Sequence, residues 1–146
     1  MLKLQGIAVS SGVTIGEALV LDSEGFRIPR RFVARSAVDT ELQRLSNAVA
    51  ESTAEIKKNR DAVRKELGEQ YAAIFDAHLA MLHDQRLQEE LISAVRERNW
   101  WPEYAVSRTL RRYAKVFQKL DNHISQRAHD IYDIEKSLLR NLLGQR

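Results

Sequence analysis

The sequence contains no cysteine and only two prolines in 146 residues. Without cysteine there is neither a disulfide framework nor a thiolate metal site, which excludes a small stapled secreted scaffold and leaves the cytoplasm as the expected compartment. No apolar run approaches the roughly 20 residues that span a bilayer. The N-terminus has one lysine and no continuous apolar stretch, so it does not have the form of a signal peptide, and no membrane partner is expected. Charge of one sign is not in excess either: the formal net charge is only +3. Aromatic residues make up 7% of the chain, too few to interleave its basic clusters in the manner of a nucleic-acid surface. What remains is a globular composition, 44% hydrophobic and 29% charged, of the size of one domain with a small appendage.

Glycine is scarce and unevenly placed. Gly6, Gly12, Gly16 and Gly25 lie near the start, and only Gly68 and Gly144 follow. The early segment alternates like short strands, with Leu2, Leu4, Ile7 and Val9 around a glycine, then the run Ala18 to Leu21, then Phe26 to Ile28 before Pro29. Three short strands need something to pack on, so this head is expected to be part of a sheet whose remainder lies elsewhere.

The rest is helical. Val38, Leu42, Leu45, Val49, Ser52, Ile56, Asn59 and Val63 recur at alternating steps of four and three, a heptad seam with polar breaks at Ser52 and Asn59. Ser36 is the expected N-cap of this long first helix, and Gly68 its end. Tyr71, Ile74, Phe75, His78, Leu79 and Leu82 form the apolar stripe of a second helix. Leu87, Leu91, Ile92 and Val95 form that of a third. Pro102 suits the first turn of a fourth, carried by Val106, Leu110, Tyr113, Phe117, Leu120 and Ile124. Ile131, Ile134, Leu138 and Leu142 mark the last, with Gly144 as its C-cap. Long helices with short connections should be antiparallel neighbours. The expected fold is mainly α, an antiparallel bundle of four to five helices with a long first helix (36–144), preceded by a short β-strand head (1–35).

Several chemistries are missing. No glutamate has a histidine three residues later, so a di-iron bundle is excluded. No Walker loop occurs, and the glycine spacing does not fit a dinucleotide fingerprint. Of His78, His83, His123 and His129 only His78 falls on an apolar stripe, either as a hydrogen-bonded boundary residue or as an interface or proton-transfer group. From Glu69 to Glu90 five acids face one base, Arg86; from Arg108 to Lys119 there are five bases and no acid; Arg27, Arg30, Arg31 and Arg35 form a third cluster. Solvated faces account for all three. The basic helix could meet phosphates, but the acidic second helix would repel a polyanion, so no nucleic acid is expected. Ala73, Ala77, Ala80 and Asp84 share one side of the second helix, a face that suits either a closely approaching partner or another helix of the bundle.

Three stretches together resemble one family: Gly6-Ile-Ala-Val-Ser-Ser-Gly12-Val-Thr-Ile-Gly16, Ala73-Ile-Phe-Asp-Ala-His78-Leu-Ala-Met81-Leu-His83-Asp84, and Arg127-Ala-His129-Asp130-Ile-Tyr-Asp133-Ile134 with the Leu138 to Gly144 run after it. In this order they are similar to the N-terminal part of enzyme I of the bacterial phosphoenolpyruvate:sugar phosphotransferase system, a phosphoenolpyruvate-protein phosphotransferase, over essentially the whole chain. The resemblance implies that the head is the start of a truncated α/β phosphohistidine subdomain and that the helices are the subdomain inserted into it. It also implies a docking function: the helical part would hold the histidine-containing phosphocarrier protein while a phosphoryl group passes to the carrier from the enzyme's own histidine. That histidine follows Thr-Ser in the family, and none of the four here does. The chain alone is therefore expected to be inactive, with no catalytic residue and no cofactor of its own; the full-length enzyme would use magnesium and form a homodimer, and the fragment could self-associate through exposed head strands.

Matched to the family pattern, the docking residues would be Glu69, Gln70, Ala73, His78, Met81, Asp84, Gln85 and Arg127. Gln70, Gln85 and Arg86 stand where the family often has acids, so the acidic rim is thin and a carrier with a less basic face is expected. Ser11 replaces a common proline, and His123 a common aromatic. The competing expectation is a stand-alone helical protein-interaction adaptor with no part in phosphotransfer.

Overall fold

The structure, a computed structural model, describes residues 28–120 and 127–144. The expected strands of the head lie almost wholly in 1–27, outside the described residues. A short 3₁₀ turn, Arg35–Ala37, leads into α1 (Val38–Leu67), followed by α2 (Glu69–Leu82), α3 (Gln85–Arg98), α4 (Pro102–Gln118) and α5 (Arg127–Gly144). The mainly helical expectation holds: the described residues form five helices, with a 30-residue first one.

The boundaries follow local chemistry. Ser36 is not the N-cap. It sits inside the 3₁₀ turn, and the cap position falls on Ala37, which offers no side-chain acceptor. Asp39 and Glu41 in the first turn of α1 instead place negative charge at the positive end of the helix dipole. Gly68, at φ +104°, turns the chain between α1 and α2, a left-handed conformation that a Cβ disfavours. Asp84 caps α3 by accepting from the Leu87 amide at 2.9 Å. Asn99, at φ 55°, closes that helix in the left-handed region that asparagine tolerates. Pro102 opens α4 as expected.

The core is one continuous cluster. It joins Leu45, Ala48 and Ile56 of α1 to Leu82 of α2, Leu87, Leu91 and Val95 of α3, Val106, Leu110 and Ala114 of α4, and Ile131, Ile134, Leu138 and Leu142 of α5. The most extensive packing is between α4 and α5 and between α1 and α2. Residues 28–34 lie in extended form along the α3–α4 connection. There Phe32 bridges Trp100, the Trp101 amide donates to the Arg31 carbonyl at 3.0 Å, and the Trp101 indole donates to the Pro29 carbonyl at 2.8 Å. The Arg31 guanidinium stacks 4.9 Å from the Trp101 ring, so one member of the first arginine cluster is engaged in fixing this junction.

The heptad seam of α1 holds only in part. Leu45, Ser52 and Ile56 are buried, but Asn59 is exposed and no α1 residue beyond Ile56 is buried. Tyr71 and Ile74, expected in the core, are also exposed, at 53% and 49%. The reason is shared. The last turns of α1 and the first turns of α2 pair mainly with each other, and two helices cover only one seam apiece. Ile92 and Leu120 likewise end up outside the core, Leu120 because α4 stops at Gln118.

Buried charge is concentrated where helices meet. Glu103 at the start of α4 is fully buried and paired with Arg44 of α1, which also donates to the Leu142 carbonyl of α5 at 2.9 Å. Glu135 of α5 is 3% exposed and accepts from Arg111 at 3.1 Å and from Ser107 at 3.4 Å. Burial pushes its carboxyl above the usual value, and Arg111 only partly opposes this. A carboxyl raised in the folded state contributes stability at low pH that is lost as pH rises through its folded value. Glu135→Gln is therefore expected to stabilise the protein near pH 7, with the gain shrinking toward pH 4, where wild-type Glu135 becomes neutral. Urea unfolding at both values checks this; a loss of stability near pH 7 would mean that the ion pair with Arg111 outweighs the cost of burial.

Candidate functional site

The second helix presents a stripe of small and acidic side chains. Glu69, Ala73, Ala77 and Ala80 succeed one another at three- and four-residue steps, which keeps them on one face; Asp84, expected on that face too, lies beyond the end of α2 at Leu82 and serves as the N-cap of α3. Ala72, Phe75, Leu79 and Leu82 occupy the other side and pack inward. Ala73 and Ala80 are exposed and Ala77 is half-buried, so the stripe is not consumed by contact with another helix of the bundle. The interface expectation for this face survives in that respect.

Beside the stripe lies a groove of about 750 Å³. Ala77, Ala80, Met81 and Asp84 form one wall. Tyr113, Val116 and Phe117 from the end of α4 form another, and Arg127 and Ile131 from the start of α5 close it. The groove is open along the C-terminal turns of α4, where Val116 is 55% exposed and Phe117 only half-buried. Its floor is apolar, with Leu87, Leu110 and Ile134. Its edge carries both signs of charge. Glu90 holds Arg112 in an ion pair and Arg86 at 3.3 Å, so part of the basic cluster of α4 is neutralised. Burial, with the Glu90 carboxylate beside it, pushes the Tyr113 phenol above its usual value; the group stays neutral at physiological pH.

The eight expected site residues are distributed as follows. Met81, Asp84 and Arg127 line the groove, although no feature of spacing linked Arg127 to the other two. Ala73 continues the same face of α2 further from it. Glu69 and Gln70 stand exposed at the N-terminal end of α2, about 20 Å along the axis from its other end at Leu82 by helix rise. Glu69 is already engaged with Arg64 of α1 at 2.8 Å. Gln85 is exposed on α3 and donates to Glu89 at 2.9 Å. His78 does not face solvent. It is 8% exposed, and its Nε2 lies 3.1 Å from the Asp130 carboxylate of α5. Of the two alternatives for His78 the hydrogen-bonded boundary residue fits this burial, and the residue sits one turn before the groove wall.

Sequence reasoning missed the contribution of α4. Tyr113 and Phe117 fall on the expected core stripe by their period, and period alone does not tell which turns another helix covers; Val116 lies off that stripe. It also missed the capping role of Asp84, although an aspartate three residues before Leu87 is a legible N-cap signal.

Comparison with known proteins follows this geometry. A family described as PEP-utilising enzyme, N-terminal, matches residues 5–127. The chain belongs to this family. Phosphoenolpyruvate-protein phosphotransferases are similar to it in sequence: that of Mycoplasma capricolum subsp. capricolum is 32% identical over 143 residues, and that of Geobacillus stearothermophilus 35% identical over 142, each match covering 97% of this chain. The chain spans about a quarter of the length of these relatives, 25% and 24% respectively. Among solved structures, the solution structure of an enzyme I protein superposes with a TM-score of 0.76 at 28% identity, covering 81% of this chain and 48% of that one. The N-terminal domain of a nitrogen-type enzyme I superposes with a TM-score of 0.75 at 26% identity, covering 82% and 50%. The chain is thus a helical N-terminal domain of the PEP-utilising type. No helix among the described residues is long and apolar enough to cross a membrane.

Proposed function

We propose that the groove and the alanine stripe dock a small histidine-containing phosphocarrier protein, and that the whole protein to which this domain belongs is a phosphoenolpyruvate-protein phosphotransferase. The observation that carries the reading is the groove itself. An apolar floor with a charged edge is the anatomy of a transient protein interface. It lies against two residues that the family resemblance had already singled out, Met81 of α2 and Asp84 at the start of α3, and it draws in Arg127 from 43 residues beyond Asp84 (127 − 84). Phosphoryl transfer between two histidines depends mainly on holding donor and acceptor in line. A rigid helical face that positions the carrier supplies that, and it must release the carrier after each transfer. An interface of roughly 1,200–2,000 Å² in total suits the task.

Each wall has a distinct part. Alanines at 77 and 80 let a partner backbone or side chain come close to the helix. Met81, with its flexible thioether, adapts to the apolar contact. Arg127 offers a planar donor array to a carrier carboxylate or carbonyl. Asp84 is committed through one oxygen to capping α3, so the face it adds is fixed in position.

The test is an NMR titration of the chain with phosphocarrier proteins of the same organism. Amide shifts are expected in 69–86, at the end of α4 and around Arg127. Shifts elsewhere, or none with any carrier, would overturn the docking reading and favour the stand-alone adaptor.

A further inference from the structure

Behind the groove wall, His78, Asp130 and Asp133 bring one imidazole nitrogen and two carboxylate oxygens within 4.8 Å of one another. We propose that these three side chains form a binding site for a divalent transition ion of the zinc class, bridging α2 and α5. The proposal stands independently of the docking reading.

The geometry is close to what such an ion needs. Zinc takes histidine nitrogen and carboxylate oxygen at about 2.0–2.2 Å, which sets neighbouring ligands of a tetrahedron about 3.3–3.6 Å apart. The His78 Nε2 to Asp130 Oδ1 separation is 3.1 Å, near that spacing without any ion. Asp133 is three residues after Asp130, on the same side of α5. Being exposed, it can turn inward by the ångström or so that the third ligand requires. The imidazole is held for the purpose: it is buried, and its ring meets Phe75 edge-on at 6.1 Å and 70°. A plain His78–Asp130 hydrogen bond explains two of the three groups and gives Asp133 no role.

The chemistry selects the ion. One imidazole and two carboxylates suit zinc and its first-row neighbours, whereas magnesium favours oxygen ligands and gives up its waters reluctantly. On binding, the ion takes the place of the hydrogen bond between Nε2 and the Asp130 carboxylate, and the neutral imidazole ligates through Nε2 with its proton on Nδ1. The two carboxylates balance the ion's charge, and a fourth position stays open to water.

The experiment titrates zinc chloride, and separately magnesium chloride, into the full chain, followed by calorimetry and amide NMR. Wild type is compared with His78→Gln, Asp133→Asn and His129→Gln, with circular dichroism to verify folding. A single saturable zinc site is expected, shifting resonances around His78 and 130–133. Asp133→Asn and His78→Gln should each weaken it at least tenfold, His129→Gln should leave it unchanged, and magnesium should not bind. Asp133 is exposed, so its variant remains informative even if His78→Gln fails to fold. The site is overturned if no saturable binding occurs or if Asp133→Asn binds like wild type. It is also overturned if His129→Gln abolishes binding, since that would mark surface capture by His129 and Asp133, four residues apart on α5.

Discussion

Replacing Arg44 by methionine is expected to destabilise the protein by about 3–5 kcal/mol, the range seen when one partner of a buried ion pair is removed. Glu103 is fully buried at the head of α4, and the Arg44 guanidinium pairs with it directly. The same guanidinium is bonded to Glu41 at 2.7 Å and to the Leu142 carbonyl at the end of α5. Three helices therefore meet on one cation. Burial works against the charge of Arg44, but its bonds to the Glu103 and Glu41 carboxylates raise its pKa above the usual value. Methionine keeps much of the apolar stem and removes the charge, so the loss reads the electrostatics rather than the packing. Equilibrium unfolding in urea measures it as a fall in midpoint at unchanged slope. The double variant Arg44→Met with Glu103→Leu should recover a large part of the loss, because the buried carboxylate that loses its bond to Arg44 is gone. A single-variant loss below about 1 kcal/mol would show that the pair is solvated like a surface bridge.

Ala80→Arg is expected to weaken phosphocarrier binding about 100-fold, roughly 2.7 kcal/mol, with little change in stability. Ala80 is exposed on the wall of the groove. An arginine there occupies the space where a partner must approach, and arginine is itself a good helix former, so α2 bears almost no cost. Ala54→Arg on the exposed side of α1 is the matched control, adding the same charge away from the groove. Calorimetric titration of both variants with the carrier separates the effects. If Ala80→Arg binds as tightly as Ala54→Arg, the groove is not the docking surface.

Helix content was legible in the sequence because it rests on local rules. The period of apolar residues located the five helices of the described residues, and Gly68, Pro102 and Asn99 punctuate them through backbone preferences that hold wherever the residue stands. The small-residue face of α2 was legible for the same reason, since residues three and four apart on a helix are neighbours whatever the helix packs against. Coverage was not legible. Tyr71, Ile74 and Phe117 carry the same period as buried residues, and only the arrangement of helices decides which turns have a neighbour. Where α1 and α2 extend as a pair, and at the C-terminal turns of α4, that period ends in exposed or half-exposed apolar surface, and in the second case in the groove.

The sequence by itself determined the helical class, the breaks at Gly68 and Pro102, the alanine-rich face of α2, and membership of a family whose motifs stand in order along the chain. Tertiary structure decided which charges are buried and paired. Arg44 and Glu103 are 59 residues apart, and His78 and Asp130 are 52 apart. Pairings at that separation leave no periodic trace, because they depend on how rigid helices cross and not on what any one helix prefers. The groove has the same origin: its walls come from α2, α4 and α5, brought together from distant parts of the chain.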